Sequence, residues 1–280
     1  MKSVQSTSIP HCRHSLAFLC LTALPLLLIQ ACGMAGTDDP PLLSPESSES
    51  PASSPKRIKI PTAAANEIIV ECERHIRAWE TARADVKTNL DRDTLQALEM
   101  AFGSYVMKEL TAISDIAITG PERSRSIAST SLGFTRNPTV LPILLNNLSD
   151  SSDQVVANTL YGLAMLGDPN IPIGNLQSIL QRSSASSGLV RNAAFAMLRL
   201  AQIRSNSEPP LPPSEDWNNT MMALLDRHEP NIRAQGATGL GYLKASNALF
   251  RLADLLSGDP ESRVRFAAAF ALGELRSMDA

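Results

Sequence analysis

The chain is poor in the residues that build metal and nucleophile sites, with four cysteines and four histidines among 280 residues. Cys72 and His75 are spaced to lie one helical turn apart, but two ligands are too few for a metal site, and only His228 follows them. No second positioned base can be named that would activate Cys72 as a nucleophile. A glycine loop that cradles phosphate and the nucleophile elbow of hydrolases are also missing. We therefore expect a protein without a catalytic site, a bound metal or a cofactor.

Acidic residues are absent before Asp38, whereas Lys2 and Arg13 make the amino terminus positive. Residues 15–31 form an apolar run of about 17 residues, which is shorter than the roughly 20 residues that a membrane-spanning helix needs. Pro25 interrupts this run. A basic start, an apolar middle and small residues at the end are typical of an export signal.

The apolar run ends in "IQAC", which resembles the lipobox of bacterial lipoproteins. The resemblance implies removal of residues 1–31 as a lipoprotein signal peptide and lipidation of Cys32. Because Gly33 rather than aspartate follows, it further implies an outer-membrane address, on the periplasmic or the surface face. Two alternatives stay open: a secreted protein cut after Ala35, and an uncleaved anchor.

Removal of the signal peptide would leave 23 basic against 28 acidic residues, a net charge of −5. This balance argues against nucleic acid as a partner, because a phosphate backbone calls for clustered lysine and arginine. Cys12 and Cys20 would be lost with the signal peptide and Cys32 acylated. Cys72 would then have no cysteine with which to form an internal disulfide, so stability must come from a packed core.

Residues 32–61 predict a disordered tether between the lipid and the body of the protein. The segment contains six prolines and many serines but few large apolar side chains. It cannot bury enough surface to offset the loss of chain entropy on folding.

Five segments beyond residue 120 share one register and are rich in alanine and leucine, the strongest helix formers. They begin at Ser124, Val155, Val190, Ile232 and Val264. The ninth position is leucine in all five, and the second position is arginine in every segment except that with Val156. The second positions are separated by 31, 35, 42 and 32 residues, and the proline-rich insertion "SNSEPPLPPSED" accounts for the longest interval. Each segment therefore predicts a helix in a repeated unit.

Small residues also recur in these segments. The tenth position holds glycine in three of them, as Gly133, Gly241 and Gly273. Because small residues let helices approach closely, we expect the segments to pack tightly.

Amphipathic stretches alternate with these alanine-rich helices. They are residues 138–148, 173–182, 215–227 and 247–257. Neither helix of such a pair can bury its apolar face alone, so residues 119–280 predict an all-α solenoid of stacked helical hairpins. Residues 62–118 read as two longer helices, the second over residues 93–113. Together they predict an amino-terminal helical hairpin that caps the stack.

The segment "DPESRVRFAAAFALGEL", together with "IRAQGATGLGYL" and the "HEP" before it, resembles the HEAT-repeat family, in particular the short bacterial type seen in phycobilin lyase-like proteins. The family tends to carry an aspartate in the turn and an arginine in the second helix, which pair along the stack. The resemblance implies such pairs for Asp259 with Arg265 and for Asp226 with Arg233, and a break at Val156.

Two groups of side chains are candidates for binding a partner. The repeated arginines form either a face that grips acidic groups or an internal ladder of arginine–aspartate pairs; they are Arg125, Arg191, Arg233 and Arg265. Phe266 and Phe270 lie on the last alanine-rich helix, where a terminal repeat should be polar. They either fold back on the preceding repeat or form an apolar end for a partner or a second copy of the chain.

These observations predict a lipid-anchored, non-enzymatic scaffold that binds another protein at the cell envelope. Two other functions stay open. One is a lyase-like protein that handles a tetrapyrrole or another cofactor. The other is a purely structural spacer in the envelope.

Overall fold

The computed structural model describes residues 62–84, 86–182, 185–208, 211 and 214–276. The predicted signal peptide, Cys32 and the tether lie outside these residues. The described part of the chain consists of helices and the turns that join them and contains no β-strand, which confirms the predicted all-α fold.

Twelve α-helices lie within the described residues. They are α1 (Thr62–Ala84), α2 (Asn89–Lys108), α3 (Leu110–Thr119), α4 (Glu122–Gly133), α5 (Leu141–Asn147), α6 (Asp153–Leu166), α7 (Ile173–Gln181), α8 (Ser187–Ser205), α9 (Glu215–Leu224), α10 (Pro230–Tyr242), α11 (Leu249–Gly258) and α12 (Ser262–Arg276). Single 3₁₀ turns, Pro138–Val140 and Ser246–Ala248, lead into α5 and α11.

Ten of these helices form five consecutive hairpins, from α3–α4 to α11–α12. The second helices of the hairpins, α4, α6, α8, α10 and α12, pack one against the next in chain order. The first helices form a second layer, in which α3 contacts α5 and α7 contacts α9. The predicted solenoid of stacked hairpins is therefore confirmed.

Glycines allow the second helices to approach one another closely. A Cβ atom at Gly133 would lie 2.1 Å from the carbonyl oxygen of Gly162, and one at Gly162 would lie 2.3 Å from that of Ser129. At Gly241 a Cβ atom would lie 2.7 Å from the Cα atom of Ala271. The glycine at the tenth position of the repeat thus marks a contact between helix backbones in two hairpins.

The amino-terminal region differs from the sequence prediction in one respect. The stretch 93–113 was expected to be one helix, but α2 ends and α3 begins on either side of Glu109, whose φ of −99° and ψ of 19° bend the chain. Both helices bury apolar residues, α2 with Phe102 and Val106 and α3 with Ile113 and its neighbours. The bend lets each helix bury its own apolar face.

α3 packs against α4 and so supplies the first helix of the first hairpin, while α1 packs against α2, α3 and α4. The domain boundary expected between residues 118 and 119 falls within α3 and stays a prediction.

Candidate functional site

Arg125 on α4 forms a bidentate ion pair with Asp150 in the turn before α6. Its Nε donates to Oδ2 at 2.8 Å and its Nη2 donates to Oδ1 at 3.0 Å. The remaining nitrogen, Nη1, donates to the carbonyl oxygen of Gly120 at 2.9 Å. The hydrogen bond from Arg125 holds the pKa of Asp150 below its ordinary value.

Arg233 on α10 repeats this arrangement with Asp259 in the turn before α12. The two bonds to the carboxylate measure 2.8 and 3.0 Å, and the hydrogen bond from Arg233 lowers the pKa of Asp259. Nη1 of Arg233 donates to the carbonyl oxygens of Arg227 and His228 at 3.1 and 2.7 Å. These two pairs connect successive hairpins, and we call them the ladder.

The ladder exists, but its pairing differs from the one expected from the family resemblance. Asp259 accepts from the guanidinium of Arg233 in the preceding hairpin. Within the described residues, Arg265 donates only to the carbonyl oxygens of Asp259 and Pro260, at 2.8 and 3.0 Å. Asp226 contacts Arg251 instead of Arg233. The arginine side chain projects forward along the stack, so that it reaches the turn of the following hairpin.

The ladder is interrupted between α6 and α10. The aspartate position lies five residues before the first position of each segment, and it holds Asp150, Ala185, Arg227 and Asp259 in turn. Val156 precedes Ala185, so the break predicted there is present. Arg191 precedes Arg227, and within the described residues no carboxylate is bonded to either of them. The sequence prediction missed this second break, because it paired each arginine with the aspartate in the turn before its own helix. In the structure the arginine pairs with the aspartate of the following hairpin.

The four candidate arginines therefore divide into two pairs. Arg125 and Arg233 hold the stack together. Arg191 and Arg265 are partly exposed, and neither forms an ion pair within the described part of the chain.

Phe266 and Phe270 also differ from each other. Phe270 is half-buried and folds back on α10, with its ring centroid 5.3 Å from that of Tyr242. Phe266 is 56% exposed. Beside it on α12, a Cβ atom at Gly273 would meet nothing within 4 Å, unlike the equivalent Gly133 and Gly241. The open face of α12 thus matches the face that α4 and α10 bury under the next helix.

A row of aromatic and polar side chains crosses α6, α8, α10 and α12. We call it the aromatic strip; its members are Tyr161, Phe195, Arg199, Gln202, Tyr242 and Phe270. Tyr161 and Phe195 stack with centroids 5.4 Å apart. Arg199 Nη1 donates to Gln202 Oε1 at 2.7 Å, and Gln202 Nε2 donates to the Tyr242 hydroxyl at 3.2 Å. The sequence carried only a weak indication of the strip, because Tyr161 and Phe270 share a repeat position whereas the other four members occupy different ones.

The end of the strip lies against the amino-terminal helices. Trp79 on α1 meets Tyr161 edge to face, with centroids 5.9 Å apart. Trp79 Nε1 donates to Glu99 Oε1 at 3.1 Å, and Arg136 Nη2 donates to Glu99 Oε2 at 2.8 Å. Desolvation by burial lowers the pKa of Arg199, and the negative charge of Glu99 opposes this effect.

Cys72 and His75 pack in the core of the amino-terminal helices. Cys72 is fully buried, and this burial raises the pKa of its thiol to about 11. The His75 ring stacks on Phe102 with centroids 5.1 Å apart. Within the described ranges, no three histidine, cysteine or acidic side chains come together as a metal site would require, and no helix has the length and apolar character to span a membrane.

A family model described as HEAT repeats matches residues 218–280, which include most of α9 and all of α10 to α12. The match supports the predicted HEAT-like repeats over these residues. None of the curated proteins compared shows significant sequence similarity to the chain.

Comparison with solved structures gives alignments over about three quarters of the chain. An engineered protein is 13% identical with a TM-score of 0.48, and the alignment covers 74% of this chain and 97% of that one. A designed armadillo repeat protein in complex with the peptide (KR)4 is 14% identical with a TM-score of 0.47, covering 75% and 98%. Human deoxyhypusine hydroxylase in complex with glycerol is 17% identical with a TM-score of 0.28, covering 77% and 96%.

Proposed function

We propose that the chain is a lipid-anchored, exported scaffold that binds another protein at the cell envelope and catalyses no reaction. The observation that carries this proposal is the aromatic strip on a row of stacked hairpins. Tyrosine, phenylalanine and arginine are enriched where proteins bind one another, since they combine large apolar area with a few directed hydrogen bonds.

The shape of the strip indicates the form of its partner. Four side chains of the strip are half-buried and offer a surface that a partner can cover further: Phe195, Arg199, Tyr242 and Phe270. The strip crosses four successive helices, and such a surface suits an elongated polypeptide segment better than a small molecule. Arg199 would orient that segment.

Cys32 and residues 32–61 set where the scaffold acts. Acyl chains on Cys32 would hold the protein at a membrane, because each buried CH₂ contributes about 0.8 kcal/mol. A flexible tether of this length has an end-to-end distance of roughly 30 Å, which would let the body search the space near the membrane. Gly33 after the cysteine favours the outer membrane, on the periplasmic or the surface face.

Crosslinking followed by a pull-down from membranes tests this function. The full-length protein should capture a saturable partner from the membrane fraction, and Cys32→Ala should move the protein to the soluble fraction. Tyr242→Ser should reduce capture, whereas Phe250→Ser on α11 should not, although Phe250 is 81% exposed. A melting curve for each variant separates lost binding from lost folding.

Two results would replace the proposal. Absence of any saturable partner would favour a structural spacer. A visible absorption band that purifies with the protein would favour the handling of a tetrapyrrole or another cofactor.

A further inference from the structure

The interrupted ladder places two arginines where the fold elsewhere places an arginine and an aspartate. The register is unambiguous, because α6, α10 and α12 all begin two residues before the first position of their segments, at Asp153, Pro230 and Ser262. Arg227 therefore occupies the position of Asp150 and Asp259. The backbone supports this equivalence.

Hydrogen bonds to the main chain confirm the alignment of the turns. Arg233 Nη1 donates to the carbonyl oxygen of Arg227 at 3.1 Å, and Arg265 Nη1 donates to that of Asp259 at 2.8 Å. In both cases the acceptor lies six residues before the arginine. The turn before α10 thus has the course of the turn before α12, but it carries a positive side chain instead of a negative one.

Arg191 and Arg227 keep unused donors. Arg227 Nη2 donates to the carbonyl oxygen of Leu180 at 2.8 Å, and Arg191 has no hydrogen bond or ion pair within the described residues. Both side chains are partly exposed. Each guanidinium carries five N–H donors, so most of them stay available to an acceptor from outside the chain.

We propose that Arg191 and Arg227 together bind a carboxylate side chain of the partner protein. This inference rests on the proposed function and names the chemistry that its partner presents there. The incoming carboxylate replaces the missing aspartate of the ladder and offsets the positive charge of both side chains. Arginine suits this task because its planar fork matches a carboxylate.

The proposal also assigns three of the four candidate arginines to different tasks. Arg125 and Arg233 each hold an aspartate of the chain itself and cannot take a second carboxylate with the same two donors. Arg191 occupies the position of Arg233 in its own hairpin, and no carboxylate of the described residues pairs with it. An acidic segment of a bound protein would therefore contact the middle of the stack.

The substitution Arg227→Asp gives a test with two independent readouts. It restores the sequence of the ladder, so the introduced carboxylate would pair with Arg191 as Asp259 pairs with Arg233. We expect the melting temperature of the full-length protein in detergent to rise by about 2–4 °C. We also expect binding of a ten-residue glutamate peptide to weaken about tenfold or more, because the site loses a cation and gains an anion.

Matched variants complete the test. Arg191→Ala should weaken binding of the glutamate peptide by a similar factor with little change in melting temperature. Arg251→Ala should leave peptide binding unchanged, because Arg251 already contacts Asp226. Added salt should weaken the wild-type affinity, and a ten-residue lysine peptide should not bind there.

Three results would overturn the inference: no binding of the glutamate peptide by the wild type, equal binding by wild type and Arg227→Asp, or binding of inorganic phosphate without the peptide. Capture of a membrane partner that Arg227→Asp leaves intact would also overturn it, while the scaffold function would stand. If Tyr242→Ser abolishes capture and Arg227→Asp does not, the scaffold function stands and the inference about Arg191 and Arg227 fails.

Discussion

Arg233 shows how much one side chain can contribute to the cohesion of a repeat stack. Its guanidinium bonds two carboxylate oxygens of the next hairpin and two carbonyl oxygens of its own turn. The side chains of Arg233 and Asp259 are only 13% and 4% exposed, so water competes weakly for these bonds. Arg191, at the equivalent repeat position, makes no such bond to the part of the chain that the structure describes.

We expect Arg233→Ala to lower the free energy of unfolding by about 2 kcal/mol, because it leaves a buried carboxylate without its charged donor. Arg191→Ala, the control at the same repeat position, should change it by about 0.5 kcal/mol or less. Urea denaturation of both variants measures the difference. Equal losses would contradict an internal role for Arg233.

The ladder also makes stability depend on pH. The bond from Arg233 lowers the pKa of Asp259 below the unfolded value of about 3.9. The folded state therefore gains stability from this group above the unfolded pKa and loses it as pH falls through the folded pKa. The stability difference between the wild type and Asp259→Asn should be constant from about pH 7 to pH 5 and should shrink below about pH 4.

Chemical denaturation at a series of pH values measures this difference. Asp254→Asn is a suitable control, because Asp254 lies exposed on α11. A wild-type advantage over Asp259→Asn that persists unchanged in acid would show that the charge of Asp259 is not what stabilises the stack.

At the scale of helices, Gly133 and Gly241 lie where two helix backbones touch, whereas Gly273 at the same repeat position lies on the open face of α12. α4 and α6 meet at Gly133 and Gly162, where neither backbone leaves room for a side chain. The bend at Glu109 has a similar cause, because α2 and α3 each turn an apolar face toward their neighbours. Packing between helices overrides the local preference for one long helix in residues 93–113.

Gly162→Ala should lower the free energy of unfolding by about 1–3 kcal/mol, because the new methyl group would push α6 away from α4. Gly174→Ala on α7 is the matched control, since a Cβ atom there meets nothing within 4 Å. It should leave stability unchanged or raise it by up to about 1 kcal/mol through helix propensity. Thermal unfolding followed by circular dichroism compares the two, and a neutral Gly162→Ala would refute the close contact.

At the scale of the whole molecule, the stack presents an apolar face on α12, the last helix that the structure describes. Phe266 and Gly273 lie on this face and Phe270 lies at its edge, at repeat positions that α4 and α10 cover with the following helix. An exposed surface of this kind favours association with a partner or a second copy. Self-association through α12 stays a prediction.

Phe266→Ser should reduce self-association without lowering the melting temperature, because Phe266 is mostly exposed. Phe270→Ser should lower the melting temperature as well, since it removes the contact with Tyr242. Light scattering across a concentration series, together with melting curves, measures both effects. Unchanged scattering for both variants would exclude α12 as the contact between copies.

The sequence by itself determined the helical class and the repeated hairpins, because the period of apolar residues and the strong helix formers are local properties that each segment carries alone. It also predicted close helix packing from the recurring small residues. Tertiary structure decided which aspartate each arginine reaches, where α2 ends, and that residues from four helices join in the aromatic strip. The physical reason is that these features depend on how far a side chain extends across the stack, and this distance is set only when neighbouring hairpins pack.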